Sequence, residues 1–141
     1  MKNNKYTRTC IVGAGPAGLA AARALKCQGI EFDVYEKHSD VGGIWDVDNP
    51  GSPMYESAHF ISSKTMSGHF GFPMPEDYPD YPSNKQILSY IRMFAKKYNL
   101  SVNYLRPKSL SKSTTSLVDT LFHFHQWTKN KKIVYDYLIV L

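Results

Sequence analysis

A doubly wound α/β fold is what this chain predicts, from three observations. Residues 7–12 are β-prone and partly apolar, as a strand of a buried parallel sheet is. They run directly into Gly13-Ala14-Gly15-Pro16-Ala17-Gly18, a glycine-rich turn that opens an alanine-rich helix. A second apolar run, Phe32-Asp33-Val34-Tyr35, follows and ends on Glu36. Strand, turn, helix and strand in this order make a βαβ unit, the opening of a parallel sheet with helices on its faces.

Each glycine of the turn has its own expected task. Gly13 lets the chain leave the strand sharply, Gly15 leaves room for a pyrophosphate at the backbone, and Gly18 lets the helix pack closely. Pro16 sits in the first helical turn, where a missing N–H costs little. The free N–H groups there, with the helix dipole, face an anion. The helix is expected over residues 16–28, with Gly29 as its stop, and the second strand over residues 31–36. Glu36 lies roughly 20 residues beyond the glycines, where dinucleotide-binding folds place the carboxylate that accepts from ribose hydroxyls. A bare glycine turn with a surface acid does not account for the ordered succession of strand, turn, helix, strand and acid.

Next comes Gly42-Gly43-Ile44-Trp45, whose paired glycines permit unusual backbone angles and close contact with a flat ligand. Trp45 either packs on such a ligand or fills the core; spacing leaves both open. Residues 46–82 are rich in Gly, Pro, Ser and aromatics. The prolines exclude a continuous helix, and the aromatics point to an irregular segment folded over a site. Ser83-Asn84-Lys85-Gln86 reads as a capping box, with Ile87, Tyr90, Ile91 and Phe94 as the buried stripe of a helix ending near Tyr98 or Asn99. Beyond Leu100 the pattern predicts short strands: residues 102–105, an alternating strand over 120–127, a turn over 128–132, and a buried strand over 137–141. Residues 110–117, rich in Ser and Thr, read as a loop or a poor strand.

Composition limits the function classes. The 141 residues, 43% hydrophobic and 21% charged, suit one globular domain. The net charge of +5 comes from scattered lysines; the short cluster Lys129, Lys131 and Lys132 fits a hairpin turn better than a nucleic-acid surface. No apolar run approaches the roughly 20 residues of a membrane span. No signal core follows the basic start, so a cytoplasmic protein is expected, with no membrane or nucleic-acid partner. Cys10 and Cys27 read as small buried hydrophobes in a reducing compartment. No metal site is expected: His123 and His125 have no cysteine or acid beside them.

Four stretches together resemble the N-terminal part of flavin-containing monooxygenases, a class that includes Baeyer–Villiger and N-hydroxylating enzymes. They are residues 13–19, Glu36-Lys37, Gly42-Gly43-Ile44-Trp45, and Ser62-Ser63-Lys64 with the later Phe72-Pro73-Met74-Pro75-Glu76-Asp77-Tyr78-Pro79. The glycine motif is shared by all flavoproteins with two dinucleotide sites; the last two stretches are the specific ones. The resemblance implies a Rossmann-like doubly wound parallel sheet, an FAD/NAD(P)-binding domain with a small β-meander, incomplete relative to the family. It makes residues 1–141 one partial FAD-binding domain, with the 46–82 loop inside it.

The cofactors implied are FAD and NADPH, the NADPH site lying outside this chain. Gly13, Ala14, Gly15, Pro16 and Ala17, with Gly18 behind them, would hold the FAD diphosphate. Glu36 would take the adenosine ribose and Ile44 with Trp45 the region near the flavin; Lys37, Gly43, Ile61 and Ser62 are further candidate cofactor-binding residues. Family enzymes reduce FAD with NADPH, form a flavin hydroperoxide, and oxygenate a soft nitrogen or sulfur nucleophile or a ketone. No residue here is assigned as catalytic. Two departures stand out. Ile61 occupies the place where many members carry an Asn before Ser-Ser-Lys. The chain also lacks the second glycine motif and the intervening Gly/His fingerprint. A fragment or truncated product is therefore expected, paired in a full enzyme with a C-terminal portion and a small-molecule substrate. The alternatives are a non-catalytic dinucleotide-binding fragment and an inactive truncated product.

Overall fold

The strand β1 (Thr9–Val12) lies inside a four-stranded parallel sheet in the computed structural model, which describes residues 8–49, 51–104 and 117–140. It pairs with β2 (Phe32–Glu36) on one side and β4 (Tyr137–Val140) on the other, and β3 (Val102–Tyr104) extends the sheet beyond β2. The order β3-β2-β1-β4 reverses the direction of winding between β1 and β4. Doubly wound sheets bind ligands in the crevice beyond the carboxyl ends of the strands at such a reversal.

Two helices cover one face. Helix α1 (Pro16–Cys27) buries Gly18, Leu19 and Ala22. It closes with Gly29 at φ +66°, the Gly29 N–H bonding to Lys26 O and the Ile30 N–H to Leu25 O. A four-residue helix, α2 (Lys64–Ser67), interrupts the long loop. Helix α3 (Asn84–Lys97) starts on the expected capping box: Ser83 Oγ accepts from the Gln86 N–H and Gln86 Oε1 accepts from the Ser83 N–H at 2.9 Å. Its stripe of Ile87, Tyr90, Ile91 and Phe94 is buried with Ile11, Leu19 and Val34 in one core.

The C-terminal third departs from expectation. Residues 120–127 are not a strand, and residues 128–131 are not a hairpin turn; both lie in helix α4 (Leu117–Lys131). Among the described residues the strand pairs are all parallel, and none forms the expected β-meander. Phe124 and Trp127, three apart on α4, both pack on Tyr35 on the sheet face away from Ile11, Phe124 tilted and Trp127 edge-on, at ring-centroid distances of 4.9 and 5.8 Å. That spacing suits a helix, and the helix won over the alternation of Phe122 and Phe124. Strand β4 is present but is not buried: Tyr137 is 62% and Leu138 52% exposed, because β4 is the edge of the sheet. Cys27 is exposed, not buried. The loop or poor strand expected over residues 110–117 lies outside the described residues except Leu117, which begins α4. Among the described residues no helix is long and apolar enough to cross a membrane, and no group of three His, Cys, Asp or Glu side chains suits a metal ion.

Candidate functional site

The glycine turn joins the carboxyl end of β1 to α1. Gly13 adopts φ +110°, which a side chain resists, and its N–H bonds to Tyr35 O at 2.8 Å, tying the turn to β2. A Cβ on Gly18 would lie 2.0 Å from Gly13 O, so the helix packs against the turn only because Gly18 has none. Gly15 is different. Its backbone is ordinary, at φ −74° and ψ −177°. A Cβ there would meet Gly43 Cα at 3.6 Å, normal van der Waals contact. The chain itself has room for a side chain at Gly15 and carries none. Behind it, the first turn of α1 has no side-chain cap and no acid, and Pro16 opens the helix. The N–H groups and the dipole there remain available to an anion.

Glu36 lies at the carboxyl end of β2, only 4% exposed. Its Oε2 accepts from the Ala14 N–H at 2.7 Å and its Oε1 from the His38 N–H at 2.9 Å. The acid clips the glycine turn to β2, and each carboxylate oxygen keeps a lone-pair site for another donor.

The second glycine pair closes the cradle from the far side. Gly42 and Gly43 adopt φ +136° and +60°. The Gly42 N–H donates to Ala14 O at 3.1 Å, and a Cβ on Gly43 would lie 3.1 Å from Gly15 Cα. Residues 13–15 and 42–43 thus approach backbone to backbone. Trp45, half-buried, places its ring edge-on against Phe60 at 5.2 Å, which makes it part of the core margin. Ile44, Lys37, Ile61 and Ser62 are exposed, Ile61 at 94%. Among the described residues no hydrogen bond ties the Lys37, Ile61 or Ser62 side chain to the glycine turn. The structure therefore brings together Gly13, Ala14, Gly15, Pro16, Gly18, Glu36 and Gly43. Lys37, Ile61 and Ser62 are exposed.

Several residues that hold this arrangement escaped the sequence reading. Arg92 on α3 pairs with Asp40 (Nε–Oδ2 2.8 Å) and approaches Asp46 (Nη2–Oδ2 3.9 Å), the acids on either side of the second glycine pair. Lys64 turns inward and donates to Glu76 O at 2.7 Å and to Tyr78 O, folding the Ser-Ser-Lys stretch onto the Tyr-Pro stretch. Lys64 was visible as part of the Ser-Ser-Lys stretch, but its partners are carbonyls that no side-chain pattern announces. The same loop is pinned to α3 through His69. Its N–H donates to Tyr90 Oη at 2.6 Å, Tyr90 Oη donates to Phe72 O at 2.6 Å, and its ring lies 4.1 Å from Phe94. Burial, with the Arg23 cation nearby, holds the His69 pKa below its ordinary value. Cys10 is inert: burial, then Asp33, pushes its thiol pKa up to about 12.

A model of the flavin-binding monooxygenase-like family matches residues 6–133 of the sequence. The chain belongs to that family. Among its flavin-binding relatives, flavin-containing monooxygenase 1 of Sus scrofa is 40% identical over 97 residues, covering 66% of this chain and 18% of that protein. The human enzyme of the same name is 36% identical over 117 residues, covering 80% of this chain and 22% of that protein. The chain thus spans about a fifth of the length of these relatives. Among solved structures, a flavin-containing monooxygenase from Stenotrophomonas maltophilia superposes with a TM-score of 0.59 at 26% identity, over 69% of this chain and 28% of that one. An oxidized steroid monooxygenase bound to NADP superposes at 0.55 with 26% identity, over 70% of this chain and 19% of that one. An S-allyl-L-cysteine S-oxygenase from Allium sativum, at 0.62 and 24% identity over 69% of this chain and 27% of that one, shares the fold.

Proposed function

We propose that these 141 residues form the FAD-binding Rossmann-type unit of an NADPH-dependent monooxygenase that oxygenates a soft nitrogen or sulfur nucleophile, or a ketone. The observation that carries this is Gly15: the protein leaves room for a side chain there and has none, in front of an uncapped helix N-terminus. A diphosphate laid against that backbone accounts for both. The residues present fit FAD. Residues 13–17 would hold the diphosphate, Glu36 and the exposed Lys37 the adenosine ribose, and Gly43, Ile44, Trp45, Ile61 and Ser62 the flavin side. Ile61 offers no hydrogen bond, so the adjacent Ser62 hydroxyl is the polar group of that pair. When bound, FAD supplies the redox and oxygen chemistry. The chain's own residues would bind and orient it.

A second reading is favoured by the sequence holding one G-x-G-x-x-G fingerprint in its 141 residues. On that reading the chain binds FAD without turning over alone, the nicotinamide being placed by a further portion of a full enzyme. Holding two reactants in orientation contributes about 7–11 kcal/mol to such a step, so without that placement only slow solution chemistry remains.

The test is titration of the apo-protein with FAD and with NADP, followed by oxygen uptake with NADPH. FAD is expected to bind more tightly, because the Glu36 carboxylate accepts ribose hydroxyls and repels a 2′-phosphate. Tighter NADP binding overturns the FAD assignment. Substrate oxygenation at about 1 per second or more overturns the second reading.

A further inference from the structure

We infer that Arg92 is a positioning residue for the cofactor cradle, holding the second glycine pair against the first from a helix that does not itself belong to the turn. The inference rests on the FAD reading above. Leu88 and Arg92 stand one helical turn apart on α3 and address the same segment. Leu88 Cδ1 lies 2.4 Å from where a Gly42 Cβ would be, so the leucine fills the space that the glycine leaves. Arg92 then reaches both sides of that segment, with Nε 2.8 Å from Asp40 Oδ2 and Nη2 3.9 Å from Asp46 Oδ2.

Each acid is fixed in turn to backbone. Asp40 Oδ1 accepts from the Val41 N–H at 2.7 Å, Asp46 Oδ1 from the Asp48 N–H at 3.2 Å, and the Asp46 N–H donates to Gly43 O at 3.4 Å. Between these anchors Gly42 and Gly43 keep left-handed angles while the Gly42 N–H bonds to Ala14 O. Glycine pairs have many alternatives to such a conformation, so external bracing selects it. One planar guanidinium spans two carboxylates; a single ammonium holds one of them well.

The bracing is local. The Arg92 and Asp40 side chains are 48% and 40% exposed, and ion pairs so exposed add little to overall stability. Loss of Arg92 is therefore expected to loosen residues 41–46 without unfolding the core. That separates a positioning role from a general structural one.

The experiment compares the full chain with Arg92→Met and Arg92→Lys, all in a Trp127→Phe background that leaves Trp45 as the sole tryptophan. FAD affinity, melting temperature and acrylamide quenching of Trp45 in the apo-protein are measured. Arg92→Met is expected to weaken FAD binding by about threefold to fivefold, the most that ion pairs this exposed can transmit. Quenching of Trp45 should rise while the melting temperature stays within about 2 °C. Arg92→Lys should fall between the two. FAD affinity unchanged in Arg92→Met overturns the inference. So does a large fall in melting temperature shared by both variants with Trp45 quenching unmoved, which marks a structural role. If the parent fails to bind FAD, the FAD reading fails, and the Trp45 quenching comparison alone decides whether Arg92 holds the turn.

Discussion

Residues 8–104 and residues 117–140 are built on different terms. In the first region the apolar side chains of β1, α1, β2 and α3 converge: Ile11, Leu19, Val34, Ile91 and Phe94 are fully buried in one core. In the second, α4 meets the sheet through aromatic contacts to Tyr35, and β4 pairs with β1, Ile139 packing against the core while Tyr137 and Leu138 stay more than half exposed. The candidate site draws every one of its residues from the first region. Its glycine turns adopt backbone angles that resist ordinary residues, and a dense core holds them in place. The second region shares backbone hydrogen bonds with β1, and none of its described side chains reaches the cradle.

Substitutions can sharpen or break this contrast. The largest effect is expected for Phe94→Ala, which empties the centre of the first region; a loss of about 3–5 kcal/mol is expected in urea unfolding. Ser83→Ala removes half of the capping box and should cost about 1 kcal/mol.

A smaller, pH-dependent effect belongs to His69. Its pKa is lowered on folding, by burial first and by Arg23 second, so the folded state favours the neutral ring. The stability it contributes is present above the unfolded value of about 6.5 and is lost as the pH falls through the lower folded value. His69→Phe should flatten that part of the stability profile, as melting temperatures across pH 5–8 would register. The smallest effect is expected for Leu138→Ala on β4, about 1 kcal/mol or less in the same urea assay. A loss equal to that of Phe94→Ala would show that the second region carries as much of the stability as the first.

Legibility followed the same division. The βαβ opening, the capping box and the apolar stripe of α3 were readable because each is a local pattern with one physical meaning. Gly13 and Gly18 were readable because the turn forces both. Helix α4 was misread for two reasons. Phe122 and Phe124 alternate as a strand would, whereas the contacts to Tyr35 come from Phe124 and Trp127 at helical spacing. Its end carries Lys132 at φ +57°, where sequence signals look for Gly or Asn. The exposure of β4 was hidden because an apolar run does not say which strand is the edge. Within the site, the bracing by Arg92 was invisible because Asp40 and Arg92 are 52 residues apart and look like ordinary surface charges.

The central claim is that Gly15 is glycine for the sake of a ligand. The direct measurement is the melting temperature and FAD affinity of Gly15→Ala, with Gly18→Ala as reference. A methyl group at Gly15 meets only ordinary contact in the protein, whereas at Gly18 it would lie 2.0 Å from the Gly13 carbonyl. Gly18→Ala is therefore expected to lower the melting temperature sharply. Gly15→Ala should melt like the parent and bind FAD about tenfold more weakly or worse, a difference of about 1.4 kcal/mol. Unchanged FAD affinity in Gly15→Ala, or a fall in its melting temperature matching that of Gly18→Ala, would contradict the account.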